Sequence, residues 1–176
     1  EYDQFLIGQT WSLFTQFIAL PATVDLDGPA GSTITRTPQV RYTVSKPLYG
    51  SRVSFALEFA GHSYSVNDTI GPTSAQLLPD PTVRLQRTYS WGSIQASAVV
   101  PILAGRFGSD NAVAFRLGWG TTVAAEYRPD TEHRLMEQLT LGTGITSLLG
   151  LYQSTARDII VVRDSASTQA YAPFTI

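Results

Sequence analysis

Two neighbouring segments of this chain alternate oily and polar residues with a period of two. They are Gln39-Val40-Arg41-Tyr42-Thr43-Val44-Ser45 and Arg52-Val53-Ser54-Phe55-Ala56-Leu57-Glu58-Phe59. Successive side chains of a strand point to opposite faces. Each segment therefore has one face of Val, Tyr, Phe and Leu and another of Arg, Thr, Ser and Glu. A soluble β-sandwich produces that pattern, and so does a barrel with lipid outside and water inside.

Charge is scarce and specialised. Only 15% of the 176 residues are charged, and the net charge of −2 gives no basic field for nucleic acid. Of the twelve cationic side chains only Lys46 is a lysine; the rest are arginines, whose rigid fork of donors suits carboxylates and phosphates. There is no cysteine, which excludes disulfides, thiolate metal sites and a thiol nucleophile and suits an oxidising periplasm. No run approaches the eighteen or so apolar residues of a membrane-spanning helix, a test that a strand barrel passes unseen. The chain opens at Glu1-Tyr2-Asp3-Gln4, so a leader is expected to have been removed or never present.

Turn residues divide the chain into short strands. The first is expected at about 4–14, then about 35–46 and 51–60 around Pro47-Leu48-Tyr49-Gly50. Further strands are expected at about 82–90 and 93–103 around Trp91-Gly92, then at about 112–119, 121–128, 132–142 and 157–163. The segment 145–152 is ambiguous between a helical turn and a strand. Two long connections, 15–33 and 61–80, interrupt the series, and loops of that length are usually functional. The whole chain, 1–176, reads as one antiparallel all-β unit.

Catalytic chemistry is not visible. His62 and His133 lack metal-ligand spacing, and each is expected at the surface of a loop or strand end. Neither Gly142-Thr143-Gly144 nor Gly118-Trp119-Gly120 opens a helix that would cradle phosphate. No catalytic residue, metal or cofactor is assigned, and an enzyme is not expected.

The run Ile7-Gly8-Gln9-Thr10-Trp11-Ser12-Leu13-Phe14 resembles a motif of the DcaP-like outer-membrane porins. So do Leu20-Pro21-Ala22-Thr23-Val24-Asp25-Leu26-Asp27-Gly28-Pro29-Ala30-Gly31 and Arg36-Thr37-Pro38-Gln39-Val40-Arg41-Tyr42-Thr43. Shorter phrases follow in the family's order: Ala56-Leu57-Glu58-Phe59, Leu78-Pro79-Asp80, Tyr89-Ser90-Trp91-Gly92-Ser93-Ile94-Gln95 and Gly142-Thr143-Gly144-Ile145. The resemblance covers about residues 5–150. It implies an antiparallel transmembrane β-barrel of the bacterial outer membrane, in contact with its lipid. Such a porin is trimeric and passes small anionic, dicarboxylate-like solutes. Family barrels have about sixteen strands, and this chain holds roughly half, so a partial segment of such a barrel is expected. An open half barrel would leave unpaired edges that hydrocarbon does not tolerate.

With the oily parity toward lipid, Arg41, Thr43, Ser54, Glu58, Arg84, Gln86, Thr88, Ser93, Gln95, Arg116, Arg134 and Gln138 turn inward. Arg36, Arg41, Glu58, Arg84, Arg116 and Arg134 are the expected pore-lining charges, the arginines forming an anion ladder. Glu58 and Glu126 would pair with them; ordinary cross-strand ion pairs are the plainer alternative. Glu137 breaks the alternation, which suggests a bulge. Loop 15–33, with Asp25 and Asp27, is the candidate constriction, against a loop that merely covers an edge. Trp11, Trp91 and Trp119 suit membrane interfaces. Two other readings are a barrel-derived scaffold module closed by partner chains in a larger envelope assembly, and a soluble carbohydrate-binding sandwich.

Overall fold

The computed structural model describes residues 4–21, 31–62, 64–66, 76, 78–107, 112–150, 157–164, 167–171 and 174–175. Its strands are β1 (Phe5–Trp11), β2 (Arg36–Thr43), β3 (Arg52–Glu58), β4 (Tyr64–Val66), β5 (Asp80–Tyr89), β6 (Gly92–Val99), β7 (Ile102–Phe107), β8 (Ala112–Leu117), β9 (Trp119–Tyr127), β10 (Leu135–Thr143), β11 (Ile159–Asp164), β12 (Ser167–Tyr171) and β13 (Phe174–Thr175). Two single-turn 3₁₀ helices, Phe17–Ala19 and Thr146–Leu148, lie in connections. Eight strands make one wall in the order β1-β2-β3-β5-β6-β9-β10-β13, antiparallel at every pairing. The wall is open among the described residues.

The wall is inverted relative to a soluble sheet. Its concave side carries Thr37 and Gln39 of β2, Ser54 and Glu58 of β3, and Asp80 and Thr82 of β5, all buried. Ser93, Gln95 and Ser97 of β6, Thr122 and Glu126 of β9, and Thr140 of β10 continue that side and are buried too. The opposite side exposes Ile7 (81%), Val40, Phe55, Leu57, Leu85, Ile94, Val123 and Leu139 (57%). A water-soluble monomer does not present a continuous oily surface of that extent. A barrel in lipid must.

The ends of the wall fit the same solvent. Trp119 and Tyr127 bracket the outer face of β9, eight residues or about 26 Å apart along the strand. At a tilt of about 40° that span is about 20 Å of depth, near the thickness of an outer-membrane apolar band. At one end Tyr89 stacks on Trp91 (4.8 Å between ring centres), Trp91 meets Tyr127 (5.9 Å), and Phe5 meets Tyr42 (4.9 Å). At the other, Trp11 packs edge-on against Phe17 (5.1 Å) beneath the Arg36 guanidinium, so both belts are aromatic.

Connections are short at the first end and long at the second. The β2–β3 hairpin closes through Tyr49 (φ 49°) and Gly50 (φ 77°), two left-handed residues whose turn matches strand twist. Ser90 and Trp91 join β5 to β6, and 128–134 join β9 to β10. At the far end run 12–35, 59–79, 100–118 and the segment after β10. Short turns on the periplasmic side and long loops outside are the habit of outer-membrane barrels.

Four expectations are corrected. The strand expected at 93–103 is two elements, and β8 pairs with β7 in a separate hairpin outside the wall, because Pro101 interrupts the run. β11 joins β12 and the short β4 in a second sheet, where the β4–β11 pairing is parallel, so the topology is not hairpins throughout. Strand β1 ends at Trp11, and the next residues turn inward. No bulge occurs at Glu137: the β9–β10 register is continuous from Leu135↔Tyr127 to Thr143↔Trp119, and Glu137 is exposed on the oily face.

Candidate functional site

The connection after β1 folds across the concave side of the wall. Residues 12–16 are fully or almost fully buried there, although three of those five, Ser12, Thr15 and Gln16, are polar. They are held by wall side chains acting on loop backbone. The Glu58 carboxylate accepts from the Ser12 hydroxyl (2.5 Å) and the Leu13 N–H (2.7 Å). The Ser97 hydroxyl donates to the Leu13 carbonyl (2.8 Å), and the Gln95 amide to the Thr15 carbonyl (2.9 Å). Farther along, Arg134 reaches the Ile18 carbonyl (3.3 Å), and Gln138 donates to the Gly31 carbonyl (3.1 Å). The bonds to the Leu13 N–H and to the Leu13 and Thr15 carbonyls satisfy backbone groups that would otherwise be buried without a partner. One apolar plug accompanies them: Phe14 packs with Val99, Ile145 and Leu148 at the long-loop end.

The expected pore-lining residues separate into three groups. Arg41 and Arg84 lie on the concave side, half-buried. Arg41 donates to the Gln39 amide oxygen (2.9 Å) and to the Trp11 carbonyl, and both Arg41 and Arg52 lie within electrostatic range of Arg84. Among the described residues Arg84 makes neither a hydrogen bond nor a salt bridge. Glu58 and Arg134 also face inward, but they are engaged: Glu58 anchors the loop, and Arg134 pairs with Glu126, as does Arg128 (2.8 Å). Arg36 and Arg116 do not line the wall. Arg36 shares the outer parity of Val40 and Tyr42, 5.6 Å over the Trp11 ring, and exposed Arg116 belongs to the β7–β8 hairpin. Asp25 and Asp27 lie outside the described residues, as does most of 61–80.

His62 was expected at the surface and is instead buried, 4% exposed. Its Nε2 is 2.7 Å from Asp80 Oδ2, and its Nδ1 is 3.5 Å from Asp158 Oδ2 and 3.3 Å from the Ser147 hydroxyl. Burial lowers the imidazole pKa, but the hydrogen bonds and charges of Asp158 and Asp80 outweigh it and raise the value to about 9. The spacing of Ser147, His62 and Asp80 superficially matches a hydrolytic triad. A doubly hydrogen-bonded imidazolium cannot take a proton from serine, however, so it holds parts together. His133, by contrast, is exposed beside Asp130, as expected.

A sheet polar on its concave side, oily on its convex side and crossed by its own loop is a piece of transmembrane β-barrel wall. Among solved structures, the chain is similar to the outer membrane channel DcaP of Acinetobacter baumannii, with a TM-score of 0.68 and 23% identity. The match covers 83% of this chain and 40% of that one, so the chain spans about two fifths of the channel's length. At that identity the likeness establishes the fold, which is the porin-like fold expected from the motifs. No protein-family model and no curated protein matches the sequence.

Proposed function

We propose that this chain forms part of a bacterial outer-membrane porin through which small hydrophilic, preferentially anionic solutes diffuse passively. The observation that carries the reading is the inversion of the wall, polar within and oily without. Anion preference rests on Arg41, Arg52 and Arg84, which cluster on the concave side of β2, β3 and β5, beside the loop anchor Glu58. A wet guanidinium attracts a passing carboxylate yet lets it go, which is what conduction requires. The inward loop narrows the lumen. Dicarboxylate-like solutes and assembly as a homotrimer, in outer-membrane lipid, follow from the motif resemblance.

The test is the reversal potential of the full-length protein in planar bilayers under a salt gradient. The wild type should favour anions. At low salt a guanidinium about 4 Å from an anion in water contributes about 1 kcal/mol. Arg41→Ala with Arg84→Ala should therefore lower the anion-to-cation permeability ratio by up to about thirtyfold. Unchanged selectivity would remove both arginines from the mechanism, and absence of any channel would refute the porin.

A further inference from the structure

The long connections at one end of the wall meet at a single side chain. His62 belongs to the connection after β3, Asp80 opens β5, and Asp158 precedes β11. The second oxygen of Asp80 accepts the N–H of Ile102, the first residue of the β7–β8 hairpin (2.8 Å). The second oxygen of Asp158 accepts from the Thr146 hydroxyl (2.8 Å) and the Ser147 N–H (2.9 Å), in the turn after β10. Just beyond His62, β4 runs parallel to β11, extending the same junction by three residue pairs. The junction adjoins the Phe14, Val99, Ile145 and Leu148 plug through the helical turn Thr146–Leu148.

The geometry points to His62 as a cationic latch that fastens these connections into one cap over the channel mouth, with loss of its proton releasing the cap. The idea rests on the porin reading and adds a means of regulating it. Among the described residues, the charged groups facing the imidazole are acidic: Asp80 and Asp158 directly, with Glu58, the cross-strand neighbour of Asp80, behind them. Ser147, Thr146 and the Ile102 amide are neutral, and the Arg157 guanidinium is next to Asp158 in sequence. Without the imidazolium, buried carboxylates are left facing one another, which is repulsive in a low dielectric.

The sign follows from a raised pKa. Latching is fully present below about 6.5, the value of a free imidazole, and is lost as pH rises through about 9. Between pH 7.5 and 10 the cap should open roughly thirty times more often.

The experiment uses full-length protein, in bilayers for current and in detergent micelles for hydrogen exchange. Raising pH from 7.5 to 10 on the long-loop side should increase open-channel current noise with a midpoint near 9. Over the same range, amide exchange at Ile102 and Ser147, corrected for its intrinsic pH dependence, should accelerate about thirtyfold. His62→Gln, neutral at every pH, should show high noise and fast exchange already at pH 7.5, with a flat profile. A flat wild-type profile, or wild-type behaviour of His62→Gln at pH 7.5, would overturn the latch. Should His62→Gln not insert, the wild-type titration alone decides. A wild type that makes no channel refutes the porin, while exchange still judges the latch.

Discussion

Replacing Glu58 with alanine tests whether the inward loop is held by the wall or only rests on it. In the wild type this carboxylate is 1% exposed and accepts two hydrogen bonds, from the Ser12 hydroxyl and the Leu13 N–H. Bonds to a charged acceptor contribute about 1.5–3 kcal/mol each, and an orphaned buried N–H costs about 1–3 kcal/mol more. Removing a desolvated charge that neighbours Asp80 offsets several kcal/mol of that loss. The balance is a destabilisation of about 3 kcal/mol for Glu58→Ala, or roughly 150-fold in loop docking. Glu58→Gln keeps the shape and one acceptor for Leu13, so about 1 kcal/mol is expected. Denaturant unfolding from detergent micelles measures the loss, and single-channel noise reports the freed loop. In a double-mutant cycle, Ser12→Ala and Glu58→Ala should couple by at least about 1 kcal/mol. A Glu58→Ala protein within about 0.5 kcal/mol of wild type, with quiet channels, would refute the anchoring.

Two further substitutions address the wall itself. Val123→Arg or Leu139→Arg, on the oily face, should cost about 2–4 kcal/mol of unfolding free energy in lipid vesicles, whereas Thr122→Ala beside them should cost far less. A soluble sandwich would tolerate the arginines. At Gly120 an added Cβ would lie 2.7 Å from Ile145 Cγ2 and 3.0 Å from Val99 Cγ1, inside the apolar plug. Gly120→Ala should therefore lower stability by about 1–3 kcal/mol.

Period-two alternation made the wall legible, because lipid on one side and a polar lumen on the other mark every strand that separates them. Strands β7 and β8 carry similar residues without separating those two solvents, so alternation alone assigned β8 and its Arg116 to the wall. Pro101 was the available signal that a strand ended there. Arg36 was placed among the pore-lining charges, although its parity with Val40 and Tyr42 puts it over Trp11. Glu137 shows the reverse error, in which an acidic residue on the oily parity was explained by a slip that the register does not make. The inward course of loop 12–35 was suggested only by its length and by the porin-like motif. His62 was out of reach, since its partners Asp80 and Asp158 are 18 and 96 positions away and no spacing rule links them.

The polar residues of the concave side do two different jobs, and the division locates the open passage. A lumen lined only for water would need its Ser, Thr and Gln exposed. On β6 they are buried instead, because Gln95 and Ser97 serve as partners for loop carbonyls in place of a neighbouring strand, and Thr122 of β9 is buried against Thr140 of β10. On the lower parts of β2, β3 and β5 the concave residues stay accessible: Arg41, Arg84 and Gln86 are half-buried, and Arg52 and Thr88 are exposed. On the proposed reading, the loop occupies one side of the lumen and leaves the side of Arg52 and Thr88 to water. That arrangement gives Glu58 a particular importance, since it stands at the boundary. It fixes the loop's first turn by hydrogen bonds while its charge still acts on Arg41 and Arg84. Freeing the loop and altering the field of the arginine wall are then one event, so Glu58→Gln, which removes the charge but nearly keeps the anchor, should move selectivity more than noise.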